Sequence, residues 1–132
     1  MNTGEIIKNA GLKATPQRKF IYEIMAELGH SPIDEIIARV QEQHSDITVS
    51  TVYRILDSFC QAGLLSKLNH PNGKIFYDIT FENHHHIFSN NELIDYFDAD
   101  LTELIKNNLK GDLFTNKNIE KISIQIFVNS KN

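Results

Sequence analysis

Apolar residues follow two patterns along this chain. In the first half they recur every three or four positions, the spacing of one helix face; later they come in short alternating runs, the spacing of a strand. A short helix is expected from about Thr3 to Gly11, with Ile6 and Ile7 inward. Thr15 is suited to cap a second helix, with Pro16 at its first position, where a missing N–H costs nothing. Phe20, Ile21, Ile24, Met25 and Leu28 form its apolar stripe and Gly29 stops it. The same grammar follows at once: Ser31 caps, Pro32 opens, and Ile33, Ile36, Ile37 and Val40 face inward. A further helix runs from near Thr48 to Gly63. Val49, Val52, Leu56 and Phe59 lie on its inner face, and Ser50, Thr51, Tyr53, Arg54, Asp57 and Ser58 on the other.

Leu64–Leu68 and Ile75–Ile79 are strand-like and flank the turn formers Pro71, Asn72 and Gly73, so a β-hairpin is expected. Compact helices followed by a hairpin make the winged helix-turn-helix plan, which sets the last helix in the major groove and the hairpin on the phosphate backbone. Ser50, Thr51, Tyr53 and Arg54 are then candidates for DNA contact. The alternative is a solvated helix face, and a winged helix can also serve only as a protein-interaction module.

Beyond the hairpin, Glu92–Phe97 reads as a short strand. Asp98 or Asp100 caps a helix to about Asn108, with Leu101, Leu104 and Ile105 inward and Gly111 beyond it. Ile122, Ile124, Ile126 and Val128 alternate with Lys121, Ser123, Gln125 and Phe127, which predicts a strand over 119–128. The fold class is α+β: a winged helix-turn-helix domain over residues 1–80 and a small α/β domain over 81–132. The second domain is marginal in size alone, and its strand edges call for pairing. A two-fold homodimer satisfies both needs and suits DNA with two half-sites; the alternative is a monomer whose second half packs on the first.

Composition narrows this little. With 132 residues, 41% hydrophobic and 23% charged, the chain is ordinary for a globular protein. No apolar run nears the ~20 residues of a membrane span, and the N-terminus lacks the basic-then-apolar pattern of a secretory signal. The expectation is a cytoplasmic protein with no membrane partner. The net charge of −4 argues weakly against nucleic acid, but acids and bases balance through Phe76 and the excess lies after it. Cys60 is the single cysteine, so an intramolecular disulfide and a polythiolate zinc site are excluded.

The chemistry lies in His84, His85 and His86. In an extended segment His84 and His86 share one face and His85 takes the other. Two imidazoles on one strand face are half of a metal site, and Asp78 and Asp95 lie on either side in sequence. The alternative is a polar loop whose repeated histidines carry no ligand.

Leu12-Lys13-Ala14-Thr15-Pro16-Gln17-Arg18, Ser50-Thr51-Val52-Tyr53-Arg54-Ile55-Leu56, Gly63-Leu64-Leu65 and the His84-x-His86 pair occur in an order and spacing that resemble the ferric uptake regulator family of metal-dependent transcription factors. The resemblance covers nearly the whole chain. It implies a homodimeric repressor binding an AT-rich inverted repeat in double-stranded DNA, with contacts from Lys13, Thr15, Gln17, Arg18, Ser50, Thr51, Tyr53 and Arg54. It implies metal ligands His30, Asp78, His84, His86 and Asp95, and a divalent ion: Fe²⁺ or Mn²⁺ first, Zn²⁺ in vitro. Aspartate at 78 and 95 resembles the peroxide-sensing branch, in which bound Fe²⁺ reacts with peroxide and ligating histidines, here His30 and His84, are oxidised. The alternatives are a regulator of iron, zinc or manganese homeostasis without peroxide chemistry and, from another class, a non-haem metalloenzyme. The chain departs from the family where two Cys-x-x-Cys pairs often hold a structural zinc. Ser89-Asn90-Asn91-Glu92 and Val128-Asn129-Ser130 offer no thiolate there, so no cysteine-ligated zinc is expected.

Overall fold

The computed structural model describes residues 1–79, 84–119 and 121–130. The chain forms two compact units, Met1–Thr80 and Phe81–Asn132. Thr80, the last residue of the expected first domain, Asn83 beside the histidines and Glu120 in the expected last strand lie outside the described residues.

The first unit holds four helices, α1 (Thr3–Asn9), α2 (Pro16–Leu28), α3 (Ile33–Gln43) and α4 (Val49–Gln61), and three strands, β1 (His30–Pro32), β2 (Ser66–Asn69) and β3 (Ile75–Asp78). The expected caps of α2 and α4 form. Thr15 and Thr48 each accept, through their side chains, the backbone N–H of the residue three positions on, Arg18 and Thr51. The inner faces of α2, α3 and α4 close on one apolar core with Ile21, Met25, Ile36, Val40, Leu56 and Phe59. Val49, expected inward, is exposed, because it sits in the first turn of α4 ahead of the packed stripe.

Ser31 does not cap α3. It is buried in β1 opposite Tyr77 of β3, and Pro32 occupies the cap position with no side-chain hydrogen bond. Gly29 makes this possible: at φ +75° it turns the chain sharply out of α2, a conformation costly for residues with a Cβ. Its carbonyl then accepts the N–H of Ile79 at 2.8 Å. The sheet order is β1-β3-β2, all antiparallel. Pro32 is tolerated because β1 is an edge strand.

The second unit contains β4 (His85–Ser89), β5 (Glu92–Tyr96), α5 (Ala99–Asn108), a 3-10 turn (Asp112–Phe114) and β6 (Gln125–Val128). Its sheet order is β5-β4-β6, with β4 central. β4 and β5 are joined through Asn90 and Asn91, and Asn90 adopts φ +50°; asparagine accepts such angles in tight hairpins. Asp98 caps α5 by accepting from Leu101 N–H at 3.0 Å. The last strand is shorter than the alternation predicts, although Ile122, Ile124 and Ile126 are half-buried and the residues between them exposed. α5 has no buried residue, and Leu104, expected inward, is 60% exposed. Among the described residues the buried hydrophobics of this unit are Phe88 and Leu93 alone. Ile94, Phe97, Leu113 and Phe127 stay exposed.

Candidate metal centre and nucleic-acid interface

Two-residue alternation along β4 separates the histidines as the pattern predicts. His84 and His86 lie edge to face, with ring centroids 4.5 Å apart. The short Asn90–Asn91 connection sets a register in which His86 stands opposite Asp95. Asp95 Oδ1 is 3.4 Å from His84 Nε2 and 4.0 Å from His86 Nε2. His84, His86 and Asp95 each bring one ligand atom, all within 4.8 Å of one another. Both histidines are buried, and Phe97 lies over His84 with ring centroids 5.3 Å apart. Nitrogen and carboxylate donors gathered at this spacing fit a borderline divalent ion such as Fe²⁺, Mn²⁺ or Zn²⁺.

His85 has a role that spacing along the sequence did not show. Its Nδ1 accepts the backbone N–H of Ile124 at 3.0 Å, and its Nε2 lies 2.7 Å from Thr102 Oγ1. An accepting Nδ1 places the ring proton on Nε2, which therefore donates to Thr102. The Thr102 hydroxyl passes its own proton toward the carbonyl of Asp98 at 3.1 Å. Burial holds the His85 pKa below the ordinary imidazole value, in keeping with this neutral tautomer. The middle histidine thus ties the strand carrying the donors to α5 and to the segment leading into β6.

The other two expected ligands lie in the first unit. His30 of β1 and Asp78 of β3 are direct partners across the antiparallel ladder. Asp78 is buried and His30 half-buried. The strand holding Asp78 was expected, but β1 did not appear in the pattern, so this ladder pairing was not.

At the other candidate site, Thr48 Oγ1 lies 3.2 Å from Ser50 Oγ and 2.9 Å from Thr51 Oγ1, so three hydroxyls gather at the start of α4. Ser50 and Arg54 are exposed; Thr51 and Tyr53 are half-buried. The N-terminal turn of α2 faces the same helix. Thr15, Gln17, Arg18 and Arg54 line one open cleft of about 430 Å³ with Pro16 and Ile55. Arg18 also donates to the Lys13 carbonyl at 2.9 Å, which holds the loop before α2 in place. Lys13 itself is exposed. Two guanidinium groups in an open cleft beside exposed hydroxyls suit phosphate and base edges.

His70, which opens the turn between β2 and β3, is buried. Its Nδ1 accepts the Asn72 N–H at 3.1 Å and its ring lies against Phe76, so the imidazole builds the hairpin turn. Cys60 is half-buried, and burial, with Asp57 nearby, pushes its thiol up to about 11. It is an inert packing residue rather than a reactive one.

A winged helix followed by a small α/β unit with a buried histidine–carboxylate cluster is the build of a metal-responsive regulator of transcription. The chain belongs to the ferric uptake regulator family, whose model matches residues 9–127. The ferric uptake regulation protein of Cupriavidus metallidurans is 37% identical over 102 residues, a match spanning 74% of this chain and 71% of that protein. The chain spans about half the length of further ferric uptake regulation proteins that it matches. The manganese-containing ferric uptake regulator structure from Pseudomonas aeruginosa superposes with TM-score 0.84 at 24% identity, covering 100% of both chains. The Campylobacter jejuni peroxide stress regulator superposes with TM-score 0.74 at 26% identity, covering 97% of this chain and 96% of that one. These relatives are regulators of transcription rather than enzymes. Among the described residues no helix is long and apolar enough to cross a membrane.

Proposed function

We propose that this chain is a cytoplasmic metal-dependent repressor that binds an AT-rich inverted repeat as a homodimer. The gathering of His84 and His86, at the start of the central strand β4, with Asp95 opposite on β5 carries this reading. With His30 and Asp78, paired across β1 and β3, they make up the ligand set, three imidazoles and two carboxylates. When bound, Fe²⁺ or Mn²⁺ supplies positive charge that offsets the negative charge of the ligating carboxylates. Asp78 and Asp95 hold that charge, while His85 keeps its strand seated. Lys13, Gln17, Arg18 and Arg54 meet the DNA backbone and base edges; Thr15, Ser50, Thr51 and Tyr53 add hydroxyl contacts. The apolar residues exposed on the second unit, Ile94 and Leu104 among them, are covered by a second copy, which gives α5 the burial it lacks in one chain.

Peroxide sensing is the finer reading, favoured by the aspartates at 78 and 95 and by the likeness to the Campylobacter jejuni regulator. Homeostasis of iron, zinc or manganese without peroxide chemistry is its rival. An anaerobic fluorescence-anisotropy titration of an AT-rich inverted repeat decides among them, using metal-free protein, then Mn²⁺ and Fe²⁺ separately, then each metal with peroxide. Metal-dependent binding lost to peroxide only with iron is the expected result. Loss with neither metal leaves the homeostasis regulator, and binding indifferent to metal removes metal control altogether.

A further inference from the structure

Tyr77 stands between the two chemistries of the first unit. It is fully buried in β3, next to Asp78 in sequence and opposite Ser31 of β1 and Lys67 of β2. Consecutive strand residues point to opposite faces. Asp78, across from His30, therefore lies on one face and the Tyr77 ring on the other, where its hydroxyl donates to Asp57 Oδ1 at 2.8 Å. Asp57 belongs to α4, three residues after Arg54, and so shares its side of the helix. The same carboxylate oxygen is 3.8 Å from Lys67 Nζ, which sits 5.9 Å from the centre of the Tyr77 ring. The three side chains clamp the sheet to the DNA-reading helix at one point.

Burial does not require the hydroxyl. A phenylalanine would fill the same core space, whereas a hydroxyl bonded to a carboxylate adds direction and fixes α4 against β3. Burial and this bond both push the Tyr77 pKa up, so the phenol stays a donor throughout the physiological range.

We propose that Tyr77 is a positioning residue that transmits occupancy of the metal ligand Asp78 to the DNA-reading helix α4 through its hydrogen bond to Asp57. This rests on the metal-dependent repressor reading above. A ligand drawing on Asp78 pulls a strand whose preceding residue holds α4, so metal occupancy and the setting of Arg54 are coupled along a single peptide unit. Tyr77 touches neither metal nor DNA; it sets how strongly each feels the other.

The test measures that coupling in the full chain. Operator affinity is determined with and without Mn²⁺, and Mn²⁺ affinity with and without operator; the two ratios must agree by linkage, and are about 5- to 150-fold in typical allosteric proteins. Tyr77→Phe should cut the ratio about threefold or more while leaving metal-free operator affinity within about twofold of wild type. Asp57→Ala should do the same. Asp57→Asn, whose amide oxygen still accepts, should restore the ratio, and Tyr77→Phe combined with Asp57→Ala should lose no more than either alone. A ratio unchanged in Tyr77→Phe, or operator affinity weakened equally with and without metal, overturns the proposal. If Tyr77→Phe does not fold, the Asp57 variants, altered at a half-exposed position, decide on the same ratio. A wild-type ratio of one rejects the repressor reading and this inference with it. A large wild-type ratio that Tyr77→Phe leaves intact rejects only the role of Tyr77.

Discussion

His85 accepts the backbone N–H of Ile124 across 39 residues of sequence, at 3.0 Å. The bond joins the strand of metal-ligating candidates to the segment entering the last strand, and one residue further the His86 N–H donates to the Ile124 carbonyl at 2.9 Å. Replacing His85 by phenylalanine keeps a ring in the site but leaves the Ile124 N–H without its acceptor. A buried group stripped of its partner costs about 1–3 kcal/mol. The expected result is a lower urea midpoint and faster hydrogen exchange at Ile124. Unchanged exchange at that amide would show that the bond does not hold the segment.

The flanking histidines should behave differently. His86→Ala should lower Mn²⁺ affinity beyond the about 10- to 100-fold loss expected from removing a supporting partner, whereas His85→Phe should stay within that range. Affinity in the wild type should also fall as the solution is acidified, because protons compete for the ligating nitrogens. Isothermal titration with Mn²⁺ reads both effects. Equal losses for the two variants would remove the distinction between ligand and support.

Arg54 lines the cleft beside the N-terminal turn of α2 and is exposed. If it reads a base edge, Arg54→Ala should cost about 1–3 kcal/mol on operator DNA and little on scrambled DNA. If it holds phosphate, both sequences should weaken alike and the salt slope should shrink by about 0.9. Anisotropy at several salt concentrations separates the two. An unchanged affinity for both sequences would remove Arg54 from the interface.

Asp98 has its pKa held below 3.8, first by the Leu101 N–H that it accepts and then by the Tyr96 hydroxyl. A carboxyl with a depressed folded value adds stability above its unfolded pKa and loses it as pH falls through the folded one. Asp98→Asn caps α5 without titrating. The wild type should therefore exceed Asp98→Asn in urea midpoint near neutrality, with the gap closing below about pH 4. A gap that persists into acid would show that Asp98 acts through something other than its charge.

Much of this was legible because periodicity is local. The opposite faces of His84 and His85, the Thr15 and Thr48 caps and the core stripe of α2 all follow from spacing within a few residues. β1 was not legible: Ser31 before Pro32 reads as a helix start, and only pairing with distant Tyr77 makes it a strand. The burial of His70 depends on a turn folding back over Phe76. The roles of His85 and Asp57 needed partners in Ile124 and Tyr77, which no local pattern identifies. α5 failed in another way. Its apolar positions are where helical spacing puts them, yet none of its residues is buried.

Parallel pairing of β4 with β6, which are joined through β5, α5 and a 3-10 turn, bears on how the protein is made. The winged helix can close as soon as its own residues have left the ribosome, since its sheet needs nothing beyond β3. β4 must wait with one edge bare until the β6 segment emerges, because a parallel partner cannot arrive through a tight turn. A nascent chain therefore has its first unit folded before the histidine strand of the second is fully seated, and that strand gains its last neighbour only after β5, α5 and the 3-10 turn have been made.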